Sequence, residues 1–210
     1  MRLGACAAAV LSSTPARADL FSPGELIQQH AHLEGVSRCK ACHPSGDELS
    51  GRLCLDCHSE LAGQVARGRG YHGRLPAAQL DACQKCHRDH LGRKQPPTEW
   101  GPGGVKGFDH AAAGWPLEGG HRKLECSECH KKELLALPEV KAWVDRYPAC
   151  RTFLGAPRAC SACHFDEHRG GASQECERCH GADDWKKTPK YDHKKGSAYP
   201  LLGKHRKVKC

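Results

Sequence analysis

Six times in 210 residues the chain sets two cysteines two residues apart and follows the second at once with histidine. The copies are CKACH (Cys39, Cys42, His43), CLDCH (Cys54, Cys57, His58), CQKCH (Cys83, Cys86, His87), CSECH (Cys126, Cys129, His130), CSACH (Cys160, Cys163, His164) and CERCH (Cys176, Cys179, His180). Every CxxC pair has its histidine, so a single local geometry is asked for six times.

In a helical turn, residues i and i+3 lie on one face about 5–6 Å apart, and i+4 stands beside them. Two thiols so placed reach the two vinyl groups of one porphyrin, and the next imidazole comes to lie under its metal. This is the attachment signature of c-type haem. CxxC pairs also build four-cysteine zinc sites, and exported chains oxidise cysteines to disulfides. Neither requires a histidine after each second cysteine. Six haem c groups are therefore expected, with His43, His58, His87, His130, His164 and His180 as proximal ligands.

Composition agrees. Aromatic residues make up 6% of the chain, against 23 Gly and 13 Pro, and the mean hydropathy is −0.65. Such a chain has little apolar surface to bury and leans on cofactors for a core. The expected fold class is a multihaem cytochrome c: mostly coil with short α-helices, little or no β-structure, and the haems as the core. The formal charge of +8 is spread over scattered Lys and Arg without interleaved aromatics, so no nucleic-acid partner is expected. Ionised propionates on six haems would bring the mature chain to about −6 with ferrous haem and about 0 with ferric haem.

The second axial ligand is also constrained. The one methionine is Met1, so Met–His ligation is not available to the mature chain. Nine histidines lie outside the motifs, more than the six haems need, and favour His/His ligation. The distal candidates are His32, His72, His90, His110, His121, His168, His193 and His205, with His30 ranked below them. His90 and His168 sit too close to their own motifs to reach the far face of the same haem, and each is expected to serve a neighbour. Cys150 has no CxxCH partner and reads as an inert buried thiol rather than a ligand.

Two segments repeat. FDHAAAGWPLEGGHRKLEC (108–126) and YDHKKGSAYPLLGKHRKVKC (191–210) share aromatic-Asp-His, then Pro-Leu-x-Gly-x-His-Arg-Lys, then Cys. In the first, the closing Cys126 opens a motif, so Cys210 is expected to open a seventh. A second echo is CQKCHRDHLG (83–92) against CSACHFDEHRG (160–170). The short spacings Cys39–Cys54 and Cys160–Cys176 predict two packed haem pairs. Pro138–Tyr147 predicts a helix, with Pro at its start and Val140, Trp143, Val144 and Tyr147 on one stripe. The Gly- and Pro-rich 92–107 reads as a loop dividing a three-haem section, 19–95, from a second, 96–210. Residues 1–18 read as a Sec-type export signal, with Arg2, an apolar Leu3–Leu11 and ARA before the cut. The lipobox-like LGAC at Cys6 has too little before it, and no lipid anchor is expected there. No apolar run of about 18 residues follows, so no membrane span is expected.

Together these motifs resemble the exported multihaem cytochromes c of the class III (cytochrome c3-like) type. The resemblance is carried by Cys160–Gly170, Cys176–His180 and 191–210, with an earlier copy at 108–130, and by SPGELIQQHAHLEG and RGRGYHGRL near the N-terminus. It implies bis-histidine haems, a periplasmic setting, electron transfer without catalytic residues, and redox proteins as partners. The alternative is a multihaem reductase of a small nitrogen or sulfur oxyanion whose active haem lies outside this sequence.

Overall fold

Four apolar side chains are buried among the residues that the structure, a computed structural model, describes: Ile27, Leu135, Val140 and Val144. The described residues are 22–46, 48–148 and 150–208. The signal-like 1–18, Cys6 and Cys210 with its seventh motif lie outside them. Among the described residues the regular elements are short helices and no strand occurs, with coil between. Among the described residues no helix is long and apolar enough to cross a membrane.

The chain divides into two compact units, Met1–Pro116 with Cys129–Pro157, and Leu117–Glu128 with Arg158–Cys210. The loop 92–107, read from the sequence as a divider, lies inside the first unit. It is tied back to the third motif: Glu99 N donates to Cys86 O (2.8 Å), and Pro97 O faces His87 Nδ1 (2.8 Å).

In the first unit, helix α1 (Gly51–Cys57) carries the second motif and α2 (Ser59–Ala66) follows it directly. Asp81 Oδ1 accepts from Gly51 N at 2.9 Å and holds the start of α1 against residues 80–81. That approach requires glycine, because a Cβ at position 51 would sit 2.9 Å from Asp81 Cα. The longest described helix, α3 (Pro138–Arg146), begins with proline at a position where its missing N–H costs nothing. Val140 and Val144, one turn apart, pack with Leu135, Leu137, Trp143 and Leu154. The helix stops at Arg146, one residue short of the predicted end. Tyr147 leaves the stripe with non-helical ψ and is exposed, its ring resting on Trp143. Arg67, just past the end of α2, pairs with Glu139 of α3.

Val140 is fully buried, so Val140→Ala removes two methyl groups from the tightest packing in the chain. A loss of roughly 1.5–3 kcal/mol is expected in denaturant unfolding of the folded protein.

In the second unit, the 3-10 turn Gly119–Lys123 is anchored by Gly120 N donating to Ala182 O at 3.0 Å. Gly119 has φ +51°, and a Cβ there would collide with the same carbonyl. The turn therefore needs glycine at 119, and it is what presents His121.

Candidate functional site

The motifs fold as single turns. The N–H of His43, His58, His87, His164 and His180 each donates to the carbonyl of the first cysteine of its own motif, at 2.9 Å in all five. The thiols are thus on one side of a turn and the imidazole at its end. All twelve cysteines of the six motifs are free. Cys150 departs from the expected inert thiol: it is disulfide-bonded. It is only half-buried, so the core does not seal it from oxidation.

Neighbouring motifs come together. Burial, and then hydrogen bonding and charge from Cys83, push the Cys54 thiol up to about 11. Cys160 is raised by burial and then by Cys176. Cys42 is raised by burial and then by Asp89 and Cys57. These influences link motifs one and two through charge, and motifs two and three and five and six through charge and hydrogen bonding.

The imidazoles form pairs, each of one motif histidine and one other. His43 faces His90 with ring centres 6.4 Å apart, His58 faces His30 at 6.2 Å, and His87 faces His72 at 5.9 Å. His130 faces His110 at 6.3 Å, His164 faces His121 at 6.1 Å, and His180 faces His168 at 6.1 Å. The first four pairs belong to the first unit and the last two to the second. Two imidazoles on opposite sides of one metal ion, with about 2.0–2.1 Å from ion to nitrogen and roughly 1.1 Å from nitrogen to ring centre, have centres about 6.2–6.4 Å apart. The observed pairs, at 5.9–6.4 Å, lie within about 0.3 Å of that gap. Among the described residues no group of three or more His, Cys, Asp or Glu converges on a point.

Several of the rings are oriented through Nδ1, whereas His130 Nδ1 is buried without a hydrogen-bond partner among the described residues. His43 Nδ1 lies 3.2 Å from Glu48 O, His87 Nδ1 2.8 Å from Pro97 O, and His180 Nδ1 2.7 Å from Trp185 O. His90 Nδ1 faces Gly24 O at 3.0 Å. An Nδ1–H donated to an oxygen leaves the Nε2 lone pair for a metal. Burial lowers the His72 and His130 pKa values, with a further push from their ring partners His87 and His110. Both therefore stay neutral, the form that can donate a lone pair.

Asp89 organises two of these pairs at once. Its Oδ1 accepts from Ile27 N (2.7 Å) and His90 N (3.0 Å), and its Oδ2 faces His30 Nδ1 (2.6 Å). Burial works to raise its pKa, but the His30 bond and the two backbone donors outweigh it and hold the carboxyl below its usual range. His90 itself takes φ +62°, unusual for a residue with a Cβ. Asp166 plays the related part in the second unit, accepting from His168 N and Gly170 N at 2.9 Å each and facing His168 Nδ1 at 3.2 Å.

The sequence repeat is also a structural one. Phe108 stands edge-on to His110 and Tyr191 edge-on to His193. Asp109 caps Ala111 N as Asp192 caps Lys194 N. Arg122 Nε donates to Leu117 O as Arg206 Nε does to Leu201 O. Yet among the described residues no histidine ring pair includes His193, His205 or His32. His30, ranked low from sequence, is the one brought to His58. The signal that would have favoured it is Asp89, which cannot be linked to His30 by spacing alone.

Aromatic and apolar groups surround the pairs. Trp185 is stacked on both His164 (4.5 Å) and His180 (4.4 Å). Val36, Leu91, Leu124 and Phe165 are exposed, and each lies within three residues of a motif cysteine or a paired histidine. Apolar surface next to ligands is what a flat apolar cofactor would cover. Compared with protein families, with curated proteins and with solved structures, the chain matches none.

Proposed function

We propose that the chain holds six c-type haems, each through two thioethers and two imidazoles, and passes electrons along them. The observation that carries this reading is the set of six histidine pairs, every one combining a CxxCH histidine with a histidine from elsewhere at a metal-spanning distance. The cofactor, when bound, supplies a one-electron ferric/ferrous couple.

The chain's own residues do the rest. The motif thiols add across the vinyl groups, sulfur to one carbon and hydrogen to the other, so nothing leaves and no oxidant is used. The proximal ligands are His43, His58, His87, His130, His164 and His180. The distal ligands, in the same order, are His90, His30, His72, His110, His121 and His168. Backbone carbonyls and carboxylates on Nδ1 fix the rings and tune their basicity. With two imidazoles per iron, no position is left for a substrate, which suits a carrier rather than a reductase. Electrons enter and leave by redox protein partners docking through small interfaces. The proposed setting is the periplasm, on the strength of the signal-like residues 1–18.

Expression of the full chain with a cytochrome c maturation system tests the proposal. The intact mass should exceed that of the apoprotein by six haems, and the spectrum should be low-spin. A product at apoprotein mass, or carbon monoxide binding to most of the reduced haems, would overturn it.

A further inference from the structure

Each proposed iron has two imidazoles, and the oxygen that faces the second ring nitrogen differs among the sites where one is found; at the fourth site His130 Nδ1 has none among the described residues. At the first site both partners are uncharged: Glu48 O for His43, and Gly24 O with Ser22 Oγ for His90. At the third, His87 faces Pro97 O and Thr98 Oγ1. At the sixth, His180 faces the Trp185 carbonyl and His168 the Asp166 carboxylate. At the second site, both partners are carboxylates. His58 Nδ1 lies 3.2 Å from Glu60 Oε1, and His30 Nδ1 lies 2.6 Å from Asp89 Oδ2.

These two carboxylates are not ordinary surface groups. The Glu60 side chain is 7% exposed and that of Asp89 25%. Among the described residues neither forms an ion pair with Lys or Arg; each faces the Nδ1 of one of the two histidines. The charge is thus neither neutralised by a neighbouring cation nor fully screened by water. A carboxylate accepting from Nδ1–H draws the proton toward itself and makes Nε2 a stronger donor. A stronger donor on both faces, with two negative charges close by, stabilises ferric over ferrous iron. Local helix geometry makes the arrangement: Glu60 lies in the first turn of α2, just past His58. Asp89 reaches His30 from the stretch that follows the third motif.

We propose that the site built on Cys54, Cys57, His58 and His30 is the lowest-potential of the six, and that Glu60 and Asp89 are the positioning residues that set it there. The proposal rests on the haem reading above. It predicts that this site is the last to take up an electron in reduction and the first to give one up.

Redox titration of the haem-loaded full chain, followed optically and by low-spin EPR, tests it. His30→Ala first tags the second site by turning it high-spin, and the step it removes should be the lowest. Glu60→Gln keeps the shape and the oxygen on His58 but removes the charge. The lowest step should then rise by about tenfold in ferric/ferrous ratio, 59 mV for one electron, with six low-spin haems retained. Asp89→Asn should move the same step in the same direction, and Asp166→Asn a different one. Because Asp89 also holds two backbone amides, Glu60→Gln carries the test if Asp89→Asn disturbs assembly. A lowest step that stays put in Glu60→Gln, or a shift in some other step, overturns the assignment while leaving the haem reading standing. A chain that takes up no haem overturns both.

Discussion

Without haem, the chain should show no cooperative unfolding transition. Each buried Val, Leu or Ile contributes about 1.5–3 kcal/mol, while ordering each residue costs about 1–2 kcal/mol. Four such side chains stabilise little beyond their own surroundings, and three of the four, Leu135, Val140 and Val144, belong to a single cluster around α3. Ile27 stands apart from it. The remaining described backbone is held by turns and by side-chain bonds such as those of Asp89 and Asp166, which persist only if the imidazoles they orient are themselves held. Expression without the maturation system yields the material to test. Its near-ultraviolet circular dichroism should be weak and its thermal scan broad, against a sharp transition for the haem-loaded chain. A cooperative transition in the haem-free chain at similar stability would falsify the claim that the cofactor is the core.

Replacing His30 by Ala should turn one haem high-spin and leave five unchanged, whereas His32→Ala should leave all six low-spin. The two residues are neighbours in the same 3-10 segment, Gln28–Leu33, so composition and helical context are nearly matched. What separates them is direction. His30 has its Nδ1 on Asp89 and its ring 6.2 Å from His58. For His32 the recorded bond is at the backbone, where its carbonyl accepts from Arg38. Losing an axial ligand leaves a five-coordinate iron, so the effect is a change of spin state and the opening of one site to carbon monoxide. High-spin character in His32→Ala, or none in His30→Ala, would reverse the assignment of this distal ligand.

The second site illustrates how far sequence reading reaches. That Cys54, Cys57 and His58 act together is legible because a single turn places them, and nothing distant is needed. That Glu60 lies on the far nitrogen of His58 is almost as local, two residues away, yet a glutamate at that spacing has no meaning until the ring is fixed. Asp89 is opaque to sequence. It sits beside His90 and invites a local reading, and only the fold shows it reaching back to His30 and Ile27. The 92–107 loop gives the same lesson in reverse: outside the 3-10 turn Gly104–Gly107 its glycines and prolines mark irregular backbone, but the bonds of Glu99 and Pro97 to the third motif have no signal in spacing.

The motifs, the short helical turns that carry them, the sparse strand-free fold and the start of α3 follow from the sequence alone, because each depends on residues within about one or two turns of one another and so on local sterics and hydrogen bonding. The partner of each motif histidine was decided only by tertiary structure. Each pairing brings together rings from separate segments through close backbone approaches, such as Gly119 on Ala182, and through shared acceptors, such as Asp89. Nine spare histidines look alike along the chain; which six of them meet a motif ring is a property of packing.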